Sequence, residues 1–143
     1  MTPISADDLW QFSEQHYGRP GVAQACLQLQ DEHGANVNLL LLLLLLEELG
    51  LTTDPARFLP ALEARRGLFG QWRQLRRRLK DKLDEDDYGQ LLQHELELER
   101  WQQEALLQVL EWHPAVPGSG ALLDYLTRLQ VADAPLWQLK LAG

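Results

Sequence analysis

Between Val37 and Leu51 the chain reads Val-Asn, then eight consecutive leucines from Leu39 to Leu46, then Glu47-Glu48-Leu49-Gly50-Leu51. A run that is apolar on every side has no face to turn to water, so it predicts a helix buried all round, with other helices packed against it. Asn36 or Asn38 is placed to cap its start, and Gly50 to supply a left-handed residue at its end. Upstream, Ser5-Ala6-Asp7-Asp8 is an N-cap followed by an acidic residue three places from the serine, and Leu9, Phe12, His16 and Tyr17 fall on one helical face. The first helix is therefore expected over residues 6 to 17. Gly18-Arg19-Pro20-Gly21 turns the chain, and Val22, Ala25, Cys26 and Leu29 form the stripe of a second helix that stops at Gly34.

Downstream, Asp54-Pro55 is a further cap and first turn, and Pro60 breaks or kinks what begins there. A long helix is then expected from about Ala61 to Leu83, with Leu68, Trp72, Leu75, Leu79 and Leu83 as its apolar face. The acidic knot Asp84-Glu85-Asp86-Asp87 turns the chain and caps the next helix, expected from Tyr88 to Trp112 and ended by Pro114 and Pro117-Gly118. Ser119 is read as the cap of a helix carrying Leu122, Leu123, Leu126 and Leu129, and Asp133-Ala134-Pro135 as the start of a last short one through Trp137. There is no internal repeat and no linker long enough to divide domains. The expected fold is all-α: residues 1 to 143 as one compact bundle of five or six helices around the leucine-rich central helix.

Composition narrows this picture. Leu, Gln, Glu, Arg and Ala are plentiful, while Ile, Val and Thr are scarce, which favours helix over strand. The apolar segment from Val37 to Leu46 is about half of the ~20 residues a membrane span requires, and Glu47-Glu48 closes it. With 45% hydrophobic residues and a net charge of -8, neither disorder nor general attraction to nucleic acid is favoured. The single cysteine, Cys26, excludes an intramolecular disulfide. With no signal-peptide pattern at the N-terminus, a cytoplasmic location is expected.

The residues Leu9-Trp10-Gln11-Phe12-Ser13, Tyr17, Pro20-Gly21-Val22-Ala23, Ala25-Cys26-Leu27, Leu29-Gln30-Asp31, Gly34 and Val37-Asn38-Leu39-Leu40-Leu41 resemble the opening signature of an uncharacterised family of small proteobacterial proteins, a domain of unknown function. Arg73, Arg76-Arg77 and Leu79-Lys80 look like that family's arginine-rich helix, and Glu95-Leu96, Glu99-Arg100 and Leu122 to Leu126 like its later patches. After the first three leucines the family tends to continue with aromatic, cysteine and tryptophan residues, whereas here the leucines run on to Glu47-Glu48. The resemblance implies a cytoplasmic bacterial protein and brings with it no activity and no catalytic residue.

Charge is segregated along the chain. Arg57 to Lys82 holds nine of the thirteen basic residues against Glu63 and Asp81, and Leu83 to Glu111 holds nine acidic residues against Arg100. In an antiparallel hairpin, Arg73, Arg76, Arg77 and Lys80 face carboxylates such as Glu95, Glu97 and Glu99 and form a solvated ion-pair network. The alternative is a docking strip: arginines at i, i+3 and i+4 put several guanidinium forks on one side for phosphate or carboxylate, with Trp72 nearby. A second polar cluster, Gln30, Asp31, Asn36 and Asn38, sits where the second and third helices join. It serves either to cap helix ends or, completed by Tyr17 or Arg19, to form the polar edge of an apolar ligand crevice.

Other chemistry has little support. His16, His33, His94 and His113 lack a paired metal-ligand spacing, Cys26 lies in an apolar stripe without a base, and neither a serine-nucleophile elbow nor a glycine-rich phosphate loop occurs. No metal and no cofactor is expected, and the balance leans away from an enzyme. The leading expectation is a non-catalytic protein that binds another protein through Arg73, Arg76, Arg77 and Lys80, beside Trp72. The competing expectation is an anionic or apolar small ligand, bound or transformed, in a pocket at Tyr17, Gln30, Asp31 and Asn38. A homodimer joined through the apolar faces of the two long helices is a third. The first requires exposed arginines, the second a pocket in which the polar groups converge.

Overall fold

The computed structural model describes residues 4–143, which form eight α-helices and one two-stranded ribbon. The N-terminal half contains α1 (Ala6–Tyr17), α2 (Val22–His33) and α3 (Val37–Glu48). There follow strand β1 (Leu51–Thr52), a 3-10 turn at Pro55–Phe58, α4 (Leu59–Glu63), α5 (Arg66–Leu79) and α6 (Glu85–Trp112). Strand β2 (Val116–Pro117), α7 (Ala121–Arg128) and α8 (Ala134–Ala142) complete the chain. The strands pair antiparallel, Leu51 opposite Pro117 and Thr52 opposite Val116. No helix among the described residues is long and apolar enough to cross a membrane.

The leucine helix α3 is the centre. All eight leucines are at most 9% exposed, and α1, α2, α6 and α7 each pack on it. Full burial of one such side chain contributes roughly 1.5–3 kcal/mol, so this single helix supplies much of the drive to fold. Its start is capped as expected, the Leu39 N–H donating to the Asn36 side-chain oxygen at 2.9 Å, and Gly50 after its end is left-handed (φ 72°). The α1 cap is reciprocal: Asp8 N–H donates to Ser5 Oγ, and Ser5 N–H to the Asp8 carboxylate. At the far side His16 Nε2 lies 2.6 Å from the Leu141 carbonyl, joining α1 to α8.

Several expectations are corrected. The long helix expected over residues 61 to 83 is two helices, α4 and α5, separated at Ala64 and Arg65, where Arg65 leaves helical geometry (φ -122°, ψ 8°). That break brings the described residues to eight helices where five or six were expected. Within α5 the apolar face is rotated from the expected one. Phe69 is its buried residue, whereas Leu68 and Leu75 are 41% and 36% exposed, because α5 packs on α4 and α6 and so only a narrow strip is covered. Helix α6 starts at Glu85 rather than Tyr88: Asp84 caps it through the Asp87 N–H (2.8 Å), and the acidic residues expected in a turn occupy its first turn, where the helix dipole favours them. Ser119 does not cap α7. Gly120 takes that place in a left-handed conformation (φ 106°), and its N–H donates to the Glu47 carboxylate at 2.9 Å. The first of the two glutamates closing the leucine run thus fixes the start of α7. Helix α8 starts after Asp133 as expected, but continues past Trp137 to Ala142.

Candidate functional site

A groove of about 670 Å³ opens between α1, α2 and α3 on one side and α5 and α6 on the other. Helical periodicity explains its lining. Helix α1 presents Trp10, Ser13, Glu14 and Tyr17, at i, i+3, i+4 and i+7, and α2 presents Leu27, Gln30 and Asp31. Val37, Asn38 and Leu41 come from the first turns of α3. From α5 come Phe69, Arg73, Arg76 and Arg77, and from α6 Glu95, Leu96, Glu99, Gln102 and Gln103. A smaller cavity of about 300 Å³ shares Gln30, Asn36, Phe69, Arg73 and Gln102 with the groove and extends toward Arg66 and Tyr125.

The floor is a buried hydrogen-bond network resting on the leucine core. Asn38 donates to Gln102 Oε1 at 2.7 Å and to the Glu99 carbonyl at 3.4 Å, while its own carbonyl accepts from Gln103 Nε2 at 3.2 Å. Gln103 Nε2 donates also to Ser13 Oγ at 2.9 Å, and that hydroxyl donates to the Leu9 carbonyl at 2.7 Å. Asn36 donates to Gln102 Oε1 at 3.1 Å and, through its backbone N–H, to the Tyr125 hydroxyl at 3.0 Å. The network joins α1, α3, α6 and α7. One atom of the network is left over: Gln103 Oε1 is buried without a partner among the described residues. A buried acceptor without a donor costs roughly 1–3 kcal/mol.

All four groups expected around a pocket, Tyr17, Gln30, Asp31 and Asn38, line this groove. So do Arg73, Arg76 and Arg77 from the expected docking strip. Lys80, at the exposed end of α5, and Trp72, half-buried with its indole Nε1 unpartnered among the described residues, do not line it. Of the expected ion-pair network, one member forms: Arg76 Nε to Glu95 Oε1 at 3.1 Å. Glu97 instead lies beside His94 at 3.6 Å. Arg73, Arg77 and Lys80 have no carboxylate partner among the described residues.

Electrostatics single out Glu99. Burial, reinforced by the nearby charge of Glu95, pushes its carboxyl above the ordinary glutamate range, against the opposing pull of Arg73 and Arg76. Burial likewise raises the Tyr17 phenol, with smaller contributions from Cys26 and Glu99. Sequence reasoning missed Ser13, Gln102 and Gln103. The available signal was on α6, where Gln102 and Gln103 follow Glu99 by three and four residues and precede the buried Leu106, so polar groups lie in line with a core position.

Residues 8–106 match the family described as "Protein of unknown function (DUF2390)", and the chain belongs to that family. Every groove residue, from Trp10 to Gln103, lies within the matched segment, whereas α7 and α8 lie outside it. Comparison with curated proteins and with solved structures finds no match.

Proposed function

We propose that this member of the family is a non-catalytic binding protein, and that its ligand enters the groove between α1–α3 and α5–α6 with an anionic group against the arginines of α5. The observation that carries this reading is convergence. Two residue sets that look unrelated in sequence, Tyr17, Gln30, Asp31 and Asn38 on one hand and Arg73, Arg76 and Arg77 on the other, line a single groove. Within it Arg73 and Arg77 are uncommitted among the described residues. Guanidinium groups one helical turn apart suit the bidentate capture of a carboxylate or phosphate. The non-catalytic reading is supported by the state of the nearest nucleophiles. The Ser13 hydroxyl is spent on the Leu9 carbonyl, and the buried Cys26 thiol is pushed up to about 12.

The test is a screen of small carboxylates and phosphates by protein NMR, on the wild type and on Arg73→Ala/Arg77→Ala. Hits should shift the side-chain amides of Asn38, Gln102 and Gln103 and lose about tenfold or more in affinity in the double variant. Binding unaffected by the double variant, or no perturbation at those amides, refutes the proposal. A partner protein laid along the same groove is a second reading, favoured by Leu27 and Leu96, 46% and 43% exposed on its lining. For that reading, a defined partner must lose its hold on Arg73→Ala/Arg76→Ala/Arg77→Ala while the variant keeps its fold.

A further inference from the structure

We infer that the ligand is a carboxylate on an apolar body, and that its charged end seats in the smaller cavity, between the Tyr125 hydroxyl and the guanidiniums of Arg66 and Arg73. This rests on the groove being the binding site, and it names the ligand's class and the place of its anionic group.

The smaller cavity is continuous with the groove, since Gln30, Asn36, Phe69, Arg73 and Gln102 line both. Charge distinguishes the two. In the groove four carboxylates, Glu14, Asp31, Glu95 and Glu99, stand against three guanidiniums, which opposes an anion. In the smaller cavity Arg66 and Arg73 stand against Glu63 alone. That carboxylate lies 3.7 Å from Arg66 in a pair whose side chains are 70% and 71% exposed. So exposed a pair contributes little, and Arg66 is free to turn to an anion. Helical spacing brings both arginines to the cavity: Arg66, Phe69 and Arg73 fall at i, i+3 and i+7 of α5, on one face.

The third donor is Tyr125 of α7, which is 3% exposed and lines the cavity. Its oxygen accepts the Asn36 N–H at 3.0 Å, and its own O–H has no acceptor among the described residues. Burial raises the phenol above the ordinary tyrosine value, against the Asn36 hydrogen bond and the charge of Arg66, so the group keeps its proton at neutral pH and is able to donate. Both groups that act on the phenol oxygen, Asn36 and Arg66, line the cavity, which sets that oxygen at its wall. A buried hydroxyl with a spare proton beside two guanidiniums suits an oxyanion. Two arginines against one glutamate leave a single positive charge, which matches a carboxylate better than a phosphate monoester of about -1.5 to -2. Leu59, Leu62, Phe69 and Leu129 supply apolar wall for the carbons next to it. At about 300 Å³ the cavity is at the lower limit of ligand sites, so a longer body extends into the groove.

The full chain is titrated calorimetrically with butyrate, hexanoate and octanoate, with hexanamide as the uncharged counterpart and hexyl phosphate as the more highly charged one. Hexanoate is expected to bind, hexanamide at least tenfold more weakly, and affinity to rise with chain length. Tyr125→Phe and Arg66→Gln should each weaken hexanoate about tenfold. Tyr125→Phe also leaves the Asn36 N–H unpaired, so thermal unfolding verifies that each variant is folded; Arg66→Gln, at an exposed position, carries the test by itself should the other fail to fold. Hexanoate bound as tightly by Arg66→Gln as by wild type overturns the inference. So does affinity that ignores chain length, or hexyl phosphate bound more tightly than hexanoate. If the loss falls on Arg77→Gln and not on Arg66→Gln or Tyr125→Phe, the smaller cavity is refuted and the anion-binding groove stands. If neither carboxylate nor phosphate binds, both fall.

Discussion

Replacing Asn38 measures how much the polar floor contributes to stability. Asn38 is 8% exposed in the first turn of α3, and its side chain takes part in three hydrogen bonds, at 2.7, 3.2 and 3.4 Å. In Asn38→Leu the bulk is approximately kept and all three are lost. Two partners remain satisfied, since Gln102 Oε1 keeps Asn36 at 3.1 Å and the Glu99 carbonyl keeps its helical N–H. Gln103 Nε2 keeps Ser13 at 2.9 Å but is left with one buried N–H unpaired. Each lost bond is worth about 0.5–1.5 kcal/mol, the longest the least, and the orphaned N–H costs about 1–3 kcal/mol. Against this stands a gain of about 1–2 kcal/mol from the added apolar burial. The net is a loss of about 1–6 kcal/mol, or a fall in Tm of roughly 3–20 °C for a domain of this size. Asn38→Ala removes the same bonds without the compensating burial and should lose more. Urea unfolding of the three proteins, with the slope checked for constancy, gives the differences. A leucine variant as stable as wild type or more stable would refute the reasoning, and would mean that the network contributes to specificity or ligand contact but not to stability.

Three further outcomes follow from the same structure. Leu42→Ala, at a fully buried position of the leucine helix, should cost about 2–5 kcal/mol in urea unfolding, whereas Leu27→Ala, at a half-exposed position on the groove, should stay within about 0.5 kcal/mol; comparable losses at the two sites would contradict the central placing of α3. The Cys26 thiol, buried and pushed up to about 12, should ignore Ellman's reagent at pH 8 until denaturant is added, and rapid labelling of the folded protein would disprove its burial. Burial raises the Glu99 carboxyl in the folded state, so the folded protein holds that proton more tightly than the unfolded chain, and the group's contribution to stability is lost as pH rises from the ordinary glutamate value through the raised one. Glu99→Gln should therefore be more stable than wild type at neutral pH and show a flatter stability profile across that window; superimposable pH profiles would refute the assignment.

What the sequence made legible was local chemistry. Ser5 and Asp8, Asn36 and Gly50 each announce a helix boundary by side chain or backbone, and each of these stands where that chemistry puts it, whereas Asp84 caps α6 ahead of the start expected at Tyr88. The break at Ala64 and Arg65 carries no such signal: neither is a helix breaker, and the interruption belongs to how α4 and α5 separately meet α6. The β1–β2 ribbon, two residues long on each side, is too short for any period to show. The same limit applies to the arginines. Their spacing fixes that Arg73 and Arg77 share a side of a helix, but which way that side turns is decided by Phe69, the buried anchor of α5.

The groove lies where the leucine run begins. Eight leucines in succession state that α3 is buried but carry no periodicity, so they cannot say which neighbour covers which face. A helix covered on all sides can meet polar partners without a heavy desolvation cost only at its ends, where capping groups are already required. At the C-terminal end Glu47 holds Gly120 and closes the core against α7. At the N-terminal end Asn36 and Asn38 face Gln102 and Gln103, and here the packing changes from leucine against leucine to amide against amide. Amides have directional demands that side chains of approximate fit leave unmet, and the residual demand is Gln103 Oε1, buried within the network. The site is thus a consequence of ending an apolar helix beside a polar stretch of α6. Moving Asn38 one residue along the chain would turn the amide about 100° away from Gln102 and Gln103, breaking the core and the groove together.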